Sequence, residues 1–186
     1  MRTHVALLRG INVGGRNKIA MADLRELMSS LGHTEVATYI QSGNVLFASP
    51  QADTARLAAD MEAAIAERLG VSCRVVIVSR EQLARVIADN PYPQAISPKH
   101  LHAVFRSEDL TAEGIKAVAE AQQRAADKGS PDEVTVVGRT LFLHTPDGLG
   151  RSELAAQLAR PAVARQAAGT ARNWATVTKL QALLDE

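Results

Sequence analysis

The chain has 186 residues, 46% of them hydrophobic and 3% aromatic, and a formal net charge of +1 at pH 7. This apolar content can supply a buried core, while the balanced charge argues against a protein that binds nucleic acid or an anionic membrane over its whole surface. The single cysteine, Cys73, lies in an apolar run and can form no internal disulfide, so we expect a reducing compartment, the cytoplasm. No apolar stretch has the length of a membrane-spanning helix, and we expect no membrane partner.

The first half of the chain predicts the element order βαββαβ. An amphipathic helix is expected from Met21 to a stop at Gly32, and a second helix is expected to start with Ser49 as its cap and Pro50 at its first position. A further helix opens with the capping box Ser79–Gln82. The strands of this half are expected at 4–8, 35–40, 45–48 and 73–78.

The loop after the first strand is rich in glycine and in positive charge. Residues 9–18 include three glycines and three cations but no acid, so backbone amides and side chains could together attract an anion. The spacing matches neither the nucleoside-triphosphate loop nor the dinucleotide fingerprint, and an ordinary surface turn with solvated cations is the alternative. The ligand-binding candidates here are Arg9, Gly10, Asn12, Gly14, Gly15, Arg16 and Lys18.

A polar hairpin turn is expected beside this loop. In an antiparallel sheet with strand order 4-1-3-2, the end of the first strand and the start of the third lie at the same end of the sheet. The hairpin turn that precedes the third strand supplies four further ligand-binding candidates: Gln41, Ser42, Gly43 and Asn44. Turn formation alone would also explain these residues.

The second half of the chain repeats the pattern of the first. The run Leu101–Arg106 resembles Val5–Arg9 at an offset of 97 residues, and Thr145-Pro146 matches Ser49-Pro50 at an offset of 96. A helix between them should bury Ile115, Val118 and Ala119. We therefore predict an α+β protein of two tandem ferredoxin-like (split βαβ) subdomains, formed by an internal duplication and each carrying an appended helix. The subdomains are expected at 1–89 and 100–186, joined by a linker at 90–99.

Two stretches of the second half add candidate ligand-binding residues. A glycine-containing turn carries Arg151, and the stretch Arg172-Asn173-Trp174 contains the only tryptophan. This stretch could form a platform on which a base stacks beside an arginine and an asparagine. The alternative is a tryptophan that packs inside the protein, with Arg172 at the rim.

Base stacking on an exposed sheet and metal binding are both poorly supported by the sequence. The first strand offers Val5–Leu8 and no aromatic side chain, unlike the RNA-binding sheets that stack bases on aromatic residues. His100 and His102 would share one face of a strand, but no cysteine or carboxylate stands at a spacing that completes a metal site. We predict no metal and no cofactor.

Four motifs in order resemble the domain-of-unknown-function family 1697 over essentially the whole chain. They are 7–15 (LLRGINVGG), 39–45 (YIQSGNV), 148–152 (GLGRS) and 171–180 (ARNWATVTKL). The resemblance implies a pair of ferredoxin-like subdomains and no established activity. The chain departs from the usual family pattern at Glu153, where lysine is common, and at Ala171, where threonine is usual.

These observations leave three hypotheses about function. The leading one is a cytoplasmic protein that binds a phosphate-bearing ligand, a nucleotide or a nucleic acid, through the glycine-rich loop. The first alternative is an enzyme acting on a small phosphorylated or acidic metabolite, with Gln41, Ser42 and Asn44 as polar catalytic groups. The second is a protein-protein interaction module that uses a sheet edge. Ferredoxin-like folds host all three classes, so the fold alone does not decide between them.

Overall fold

The computed structural model describes residues 1–95 and 97–186. Ile96, which belongs to the predicted linker 90–99, lies outside the described residues. The chain forms two compact units. Unit 1 consists of Met1–Arg85 with Thr178–Glu186, and unit 2 of Val86–Val177. The domain boundaries expected from the sequence, 1–89 and 100–186, remain a prediction.

Unit 1 contains a four-stranded antiparallel sheet with the strand order β2-β3-β1-β4. This is the order 4-1-3-2 expected from the sequence, so the loop after β1 and the β2–β3 turn lie at the same end of the sheet. The elements are β1 (His4–Arg9), α1 (Met21–Ser30), β2 (Thr34–Tyr39), β3 (Asn44–Ala48), α2 (Thr54–Leu69), β4 (Arg74–Ser79) and α3 (Arg80–Ala88), which belongs to unit 2 from Val86 onwards.

Unit 2 contains a second four-stranded antiparallel sheet, with the order β6-β7-β5-β8. Its elements are β5 (Leu101–Phe105), α4 (Ala112–Asp127), β6 (Glu133–Val137), β7 (Thr140–His144), α5 (Glu153–Leu158), α6 (Pro161–Ala167) and β8 (Thr170–Asn173). The last helix, α7 (Trp174–Asp185), begins in unit 2 and belongs to unit 1 from Thr178 onwards. A short 3-10 helix, Leu149–Arg151, precedes α5. The protein is thus a mixed α+β structure with two antiparallel sheets, each accompanied by helices.

The starts of the helices follow local hydrogen bonding, and one of them differs from the prediction. Ser49 does not cap α2, because the Asp53 carboxylate accepts the backbone N–H groups of Ala55 and Arg56 and so starts the helix four residues later. The capping box before α3 is confirmed. Ser79 N–H donates to Gln82 Oε1 at 2.9 Å, and Gln82 N–H donates to Ser79 Oγ at 3.2 Å.

The buried face of α4 also differs from the prediction. Ile115 and Ala119 are exposed, whereas the buried side of the helix carries Gly114, Val118, Ala121 and Ala125. Small residues at helical spacing let α4 lie close to α5 and α6, and a Cβ at Gly114 would come within 3.0 Å of Leu110 Cδ2. The largest apolar side chain of this helix therefore faces outwards.

Strand β1 is buried on both of its faces. Ala6 and Leu8 belong to the core formed with α1 and α2, and Val5 and Leu7 on the opposite face are also fully buried. The face of the first sheet away from α1 and α2 is therefore not open along β1, and base stacking on that strand, as in RNA-binding sheets, is not available.

Candidate anion-binding loop

The glycine-rich segment folds into a miniature hairpin directly after β1. Arg16 N–H donates to Val13 O at 3.0 Å, and Asn12 N–H donates to Asn17 O at 3.1 Å. The two central residues, Gly14 and Gly15, have φ values of 57° and 74°. Positive φ at both central positions is the signature of a type I′ turn, which glycine adopts without steric cost. We refer to Arg9–Lys18 as the cationic loop.

Two asparagines hold the cationic loop in this shape. Asn12 Nδ2 donates to Ile19 O at 3.0 Å and to Gln41 O at 2.9 Å, while Asn12 Oδ1 accepts the Ile19 N–H at 2.9 Å. Asn17 Nδ2 donates to Gly10 O at 2.9 Å. Both asparagines have positive φ, 53° and 49°, a conformation that asparagine tolerates better than most residues. The carboxamide of Asn12 thus fixes the loop to the β2–β3 turn.

The β2–β3 turn packs tightly against the base of the cationic loop. Leu8 N–H donates to Gly43 O at 2.8 Å. A Cβ at Gly43 would lie 2.8 Å from both Ile11 Cδ1 and Leu8 Cβ, so only glycine fits there, with φ at 84°. Asn44 is fully buried and donates through Nδ2 to Tyr39 O at 2.9 Å and to Ser42 Oγ at 3.1 Å. Both Gly43 and Asn44 therefore build the turn itself.

The charged side chains of the cationic loop face solvent. Arg9, Arg16 and Lys18 are exposed, and the salt bridges found within residues 1–95 and 97–186 include none of these three. A Cβ at Gly10, Gly14 or Gly15 would meet no atom within 4 Å, so the backbone of the loop is also open to solvent. This arrangement gives an anion access to cations and backbone together.

The adjacent turn exposes polar and apolar groups beside the loop. Gln41 and Ser42 are exposed, and the Gln41 carbonyl accepts the bond from Asn12. Ile40, 49% exposed, has a φ of 53°. A β-branched residue in the left-handed region is strained, and such strain concentrates at functional sites. The sequence pattern gave no sign of this strain.

The candidate residues of unit 2 differ in their exposure and in their hydrogen bonds. Arg151 lies exposed in the 3-10 helix. Arg172 is 9% exposed, donates to Ala171 O at 2.9 Å, and has its pKa lowered to about 10 by burial. Asn173 Oδ1 accepts the Thr176 N–H at 2.8 Å and caps α7. Trp174 is half-buried, with its ring centroid 6.1 Å from that of Phe142.

A buried carboxylate that the sequence analysis missed organises the 148–152 motif. Asp132, 4% exposed, accepts Ser130 Oγ–H at 2.7 Å and Ser152 Oγ–H at 2.8 Å through Oδ2. Ser152 Oγ also accepts the Ala155 N–H at 2.8 Å and so caps α5. Next to this motif, Glu153 Oε1 lies 2.6 Å from Lys128 Nζ, and the hydrogen bond with Lys128 lowers the pKa of Glu153. This motif thus has a clear structural function.

The histidines of unit 2 lie in different surroundings. His102 lies opposite Leu143 and is 9% exposed, and burial lowers its pKa, with a smaller effect of His100 in the same direction. His144 stacks on Tyr92 with centroids 5.2 Å apart. Within the described part of the chain, no three His, Cys, Asp or Glu side chains are grouped so as to hold a metal ion. No helix among the described residues is long and apolar enough to cross a bilayer.

Comparisons with known proteins give a family and a fold. A conserved bacterial protein from Streptococcus pneumoniae, SP0830, has a similar structure, with a TM-score of 0.73 and 25% sequence identity. The alignment covers 98% of each chain. No curated protein matches the chain significantly. The family model described as "Protein of unknown function (DUF1697)" matches residues 1–142, so the chain belongs to the DUF1697 family.

Proposed function

We propose that the protein binds a phosphate-bearing ligand, a nucleotide or a nucleic acid, at the cationic loop. The observation that carries this proposal is the exposure of Arg9, Arg16 and Lys18 on a loop whose fold is held by other residues. Buried charged groups are ordinarily paired or hydrogen-bonded within a protein, whereas these three side chains lie in solvent. Three exposed cations on a loop without acids instead provide a positive surface for an anion.

The backbone of the loop supports the same function. Gly14 and Gly15 form the tip of the miniature hairpin, and their missing side chains let a ligand approach the main chain. We assign anion contact to Arg9, Gly10, Gly14, Gly15, Arg16 and Lys18, with Gln41 and Ser42 beside them. Asn12, Gly43 and Asn44 act as positioning residues. The side chains of Asn12 and Asn44 are hydrogen-bonded to the backbone, and Gly43 packs directly against Leu8 and Ile11.

A localised binding experiment tests this proposal. Backbone amide shifts of the protein labelled with nitrogen-15 are followed while inorganic phosphate, mononucleotides and short RNA or DNA strands are added. We expect the amides of Gly14 and Gly15 to shift with at least one of these ligands, while those of Gly129 and Gly138 in unit 2 serve as controls. Unchanged Gly14 and Gly15 amides with every ligand would reject the proposal.

We also propose that each unit is a ferredoxin-like subdomain and that the two arose by duplication. The equivalent strand orders of the two sheets support this, as does the single helix that connects the first strand of each sheet to its hairpin. Domain boundaries at 1–89 and 100–186 and a cytoplasmic location belong to the same proposal. Cys73 is consistent with that location as a buried thiol, whose pKa burial raises to about 11.

A further inference from the structure

A fourth arginine stands at the same end of the first sheet as the cationic loop. Arg74, the first residue of β4, lies directly opposite Arg9, the last residue of β1, on the neighbouring antiparallel strand. Residues paired in this way have their Cβ atoms about 5 Å apart and on the same face of the sheet. The Arg74 side chain is 83% exposed. Positive charge therefore continues from the loop onto the sheet edge.

Two like charges placed opposite each other destabilise a strand pair. One acid reduces this repulsion in part: Glu62 Oε2 lies 3.4 Å from Arg74 Nη1, while Glu62 Oε1 accepts the Val75 N–H at 2.8 Å. Among the described residues, no salt bridge involves Arg9. The Arg9–Arg74 pair therefore retains excess positive charge, which an anionic ligand can neutralise.

The exposure of these cations limits the affinity with which they can bind a single phosphate. An exposed ion pair strengthens an association by about fivefold or less, because water screens it and the side chains lose freedom. Four such contacts leave a single phosphate with a Kd no tighter than about 1 mM. A ligand with several linked phosphates gains one contact from each, together with the release of its condensed counterions.

Resting on the function proposed above, we infer that the ligand is a nucleic-acid strand, and that Arg74 contacts its backbone beyond the phosphates held by the cationic loop. The contacts assigned here are to phosphate, which fix the strand in place without reading its sequence. The closed faces of β1 agree with binding that does not depend on base stacking there. Mononucleotides and inorganic phosphate should bind the same site much more weakly.

The salt dependence of binding measures the Arg74 contact. Kd values for labelled single-stranded and double-stranded oligonucleotides are determined between about 50 and 200 mM salt for the wild type and for Arg74→Gln. We expect the slope of log K against log salt to fall in magnitude by about 0.7 for single strands or 0.9 for duplexes. Arg56→Gln, which removes another exposed arginine of unit 1, should leave the slope unchanged.

Removing the competing acid gives a test in the opposite direction. Glu62→Gln keeps an acceptor for the Val75 N–H but frees Arg74 from its partner, so we expect oligonucleotide affinity to rise about two- to fivefold. Asp60→Asn, on the same helix, is the control for the change in net charge. Thermal unfolding of each variant verifies that the fold is retained.

The outcomes separate this inference from the function on which it rests. Wild-type binding with a salt slope that Arg74→Gln does not change would overturn the role of Arg74 and leave the loop proposal standing. Saturation by inorganic phosphate or a mononucleotide with the affinity of the oligonucleotide would overturn the assignment of a strand. An absence of binding to every one of these ligands at the lowest salt would reject the anion-binding function itself.

Discussion

The carboxamide nitrogen of Asn12 lies 2.9 Å from the Gln41 carbonyl oxygen and joins the cationic loop to the β2–β3 turn. The same side chain also exchanges two hydrogen bonds with the backbone of Ile19. One asparagine therefore fixes the end of the loop and joins it to a turn 29 residues further along the chain. The position of the cations depends on this residue, although it carries no charge itself.

Asn12→Ala should destabilise the protein by about 1–3 kcal/mol. The substitution leaves the Ile19 N–H and the Gln41 carbonyl without their partner and forces alanine into a positive φ of 53°. Asn12→Gly is the matched variant, because it removes the same hydrogen bonds without the backbone strain. Urea unfolding should rank stability as wild type, then glycine, then alanine, and an alanine variant as stable as the wild type would contradict the role of Asn12.

Gly43→Ala should be far more damaging than Gly14→Ala. Both residues have positive φ, which costs alanine about 1–2 kcal/mol, but only the new Cβ at position 43 lies 2.8 Å from Leu8 Cβ and Ile11 Cδ1. We expect the Gly43 variant to lose at least about 2 kcal/mol more than the Gly14 variant, in line with the cost of overpacking. Chemical denaturation of both variants measures the difference in their free energies of unfolding. Equal losses of stability would show that the turn moves to accommodate the new Cβ at position 43, and would contradict the prediction.

At position 40, glycine should give a more stable protein than alanine, which is the reverse of their usual order of stability. Both substitutions remove the half-exposed isoleucine side chain, but only glycine adopts a φ of 53° without strain. We expect Ile40→Gly to be more stable than Ile40→Ala by about 1 kcal/mol. Equilibrium unfolding of the pair provides the measurement, and an alanine variant that is the more stable of the two would mean that the turn relaxes to negative φ.

Stability should decrease as the pH falls below 6.5. Burial lowers the pKa values of His4, His33 and His102 from 6.5 in the folded protein. Glu81 opposes this effect at His4, and Asp60 opposes it at His33. The unfolded chain then binds more protons than the native state in the window below 6.5, so the free energy of unfolding rises with pH across it.

Urea midpoints at about pH 7.5 and about pH 5.5 measure this effect, with the lower value expected at the lower pH. His102→Leu removes one of the three groups and should reduce the difference between the two midpoints, since position 102 lies opposite Leu143 in the sheet. A protein that becomes more stable on acidification over this range would contradict the prediction.

The sequence predicted the sheets better than it predicted the details of the helices. The arrangement expected for a split βαβ unit predicted the strand order that both sheets have, and the Ser79–Gln82 capping box was confirmed with its two hydrogen bonds. The starts of helices that depend on a single carboxylate, as at Asp53, and the short helices α5 and α6 were not predicted. Ile115 was wrongly placed inside because hydrophobicity does not reveal that a face of small residues packs more closely.

The sequence predicted which segments form the candidate site, but not which of their residues hold the loop in place and which are open to a ligand. Glycine content and charge marked the cationic loop, and the strand order brought the 41–44 turn beside it. The carboxamides of Asn12 and Asn44 are hydrogen-bonded within the protein and are therefore not available to a ligand. No sequence pattern predicts these hydrogen bonds. The predicted order 4-1-3-2 places the start of β4, and with it Arg74, beside the end of β1, so the sequence pattern also indicates this residue.

The most direct test of the central claim is the affinity of an Arg16→Glu, Lys18→Glu double variant for phosphate-bearing ligands. A variant with Arg56→Glu and Lys116→Glu carries the same net charge but alters exposed cations on α2 and α4. Fluorescence anisotropy with labelled oligonucleotides and competition by mononucleotides and inorganic phosphate give the affinities at low salt. We predict that the loop variant loses at least about tenfold in affinity for a ligand that the wild type and the control variant bind alike. Equal affinity of the loop variant and the wild type would contradict the claim that the cationic loop is the binding site.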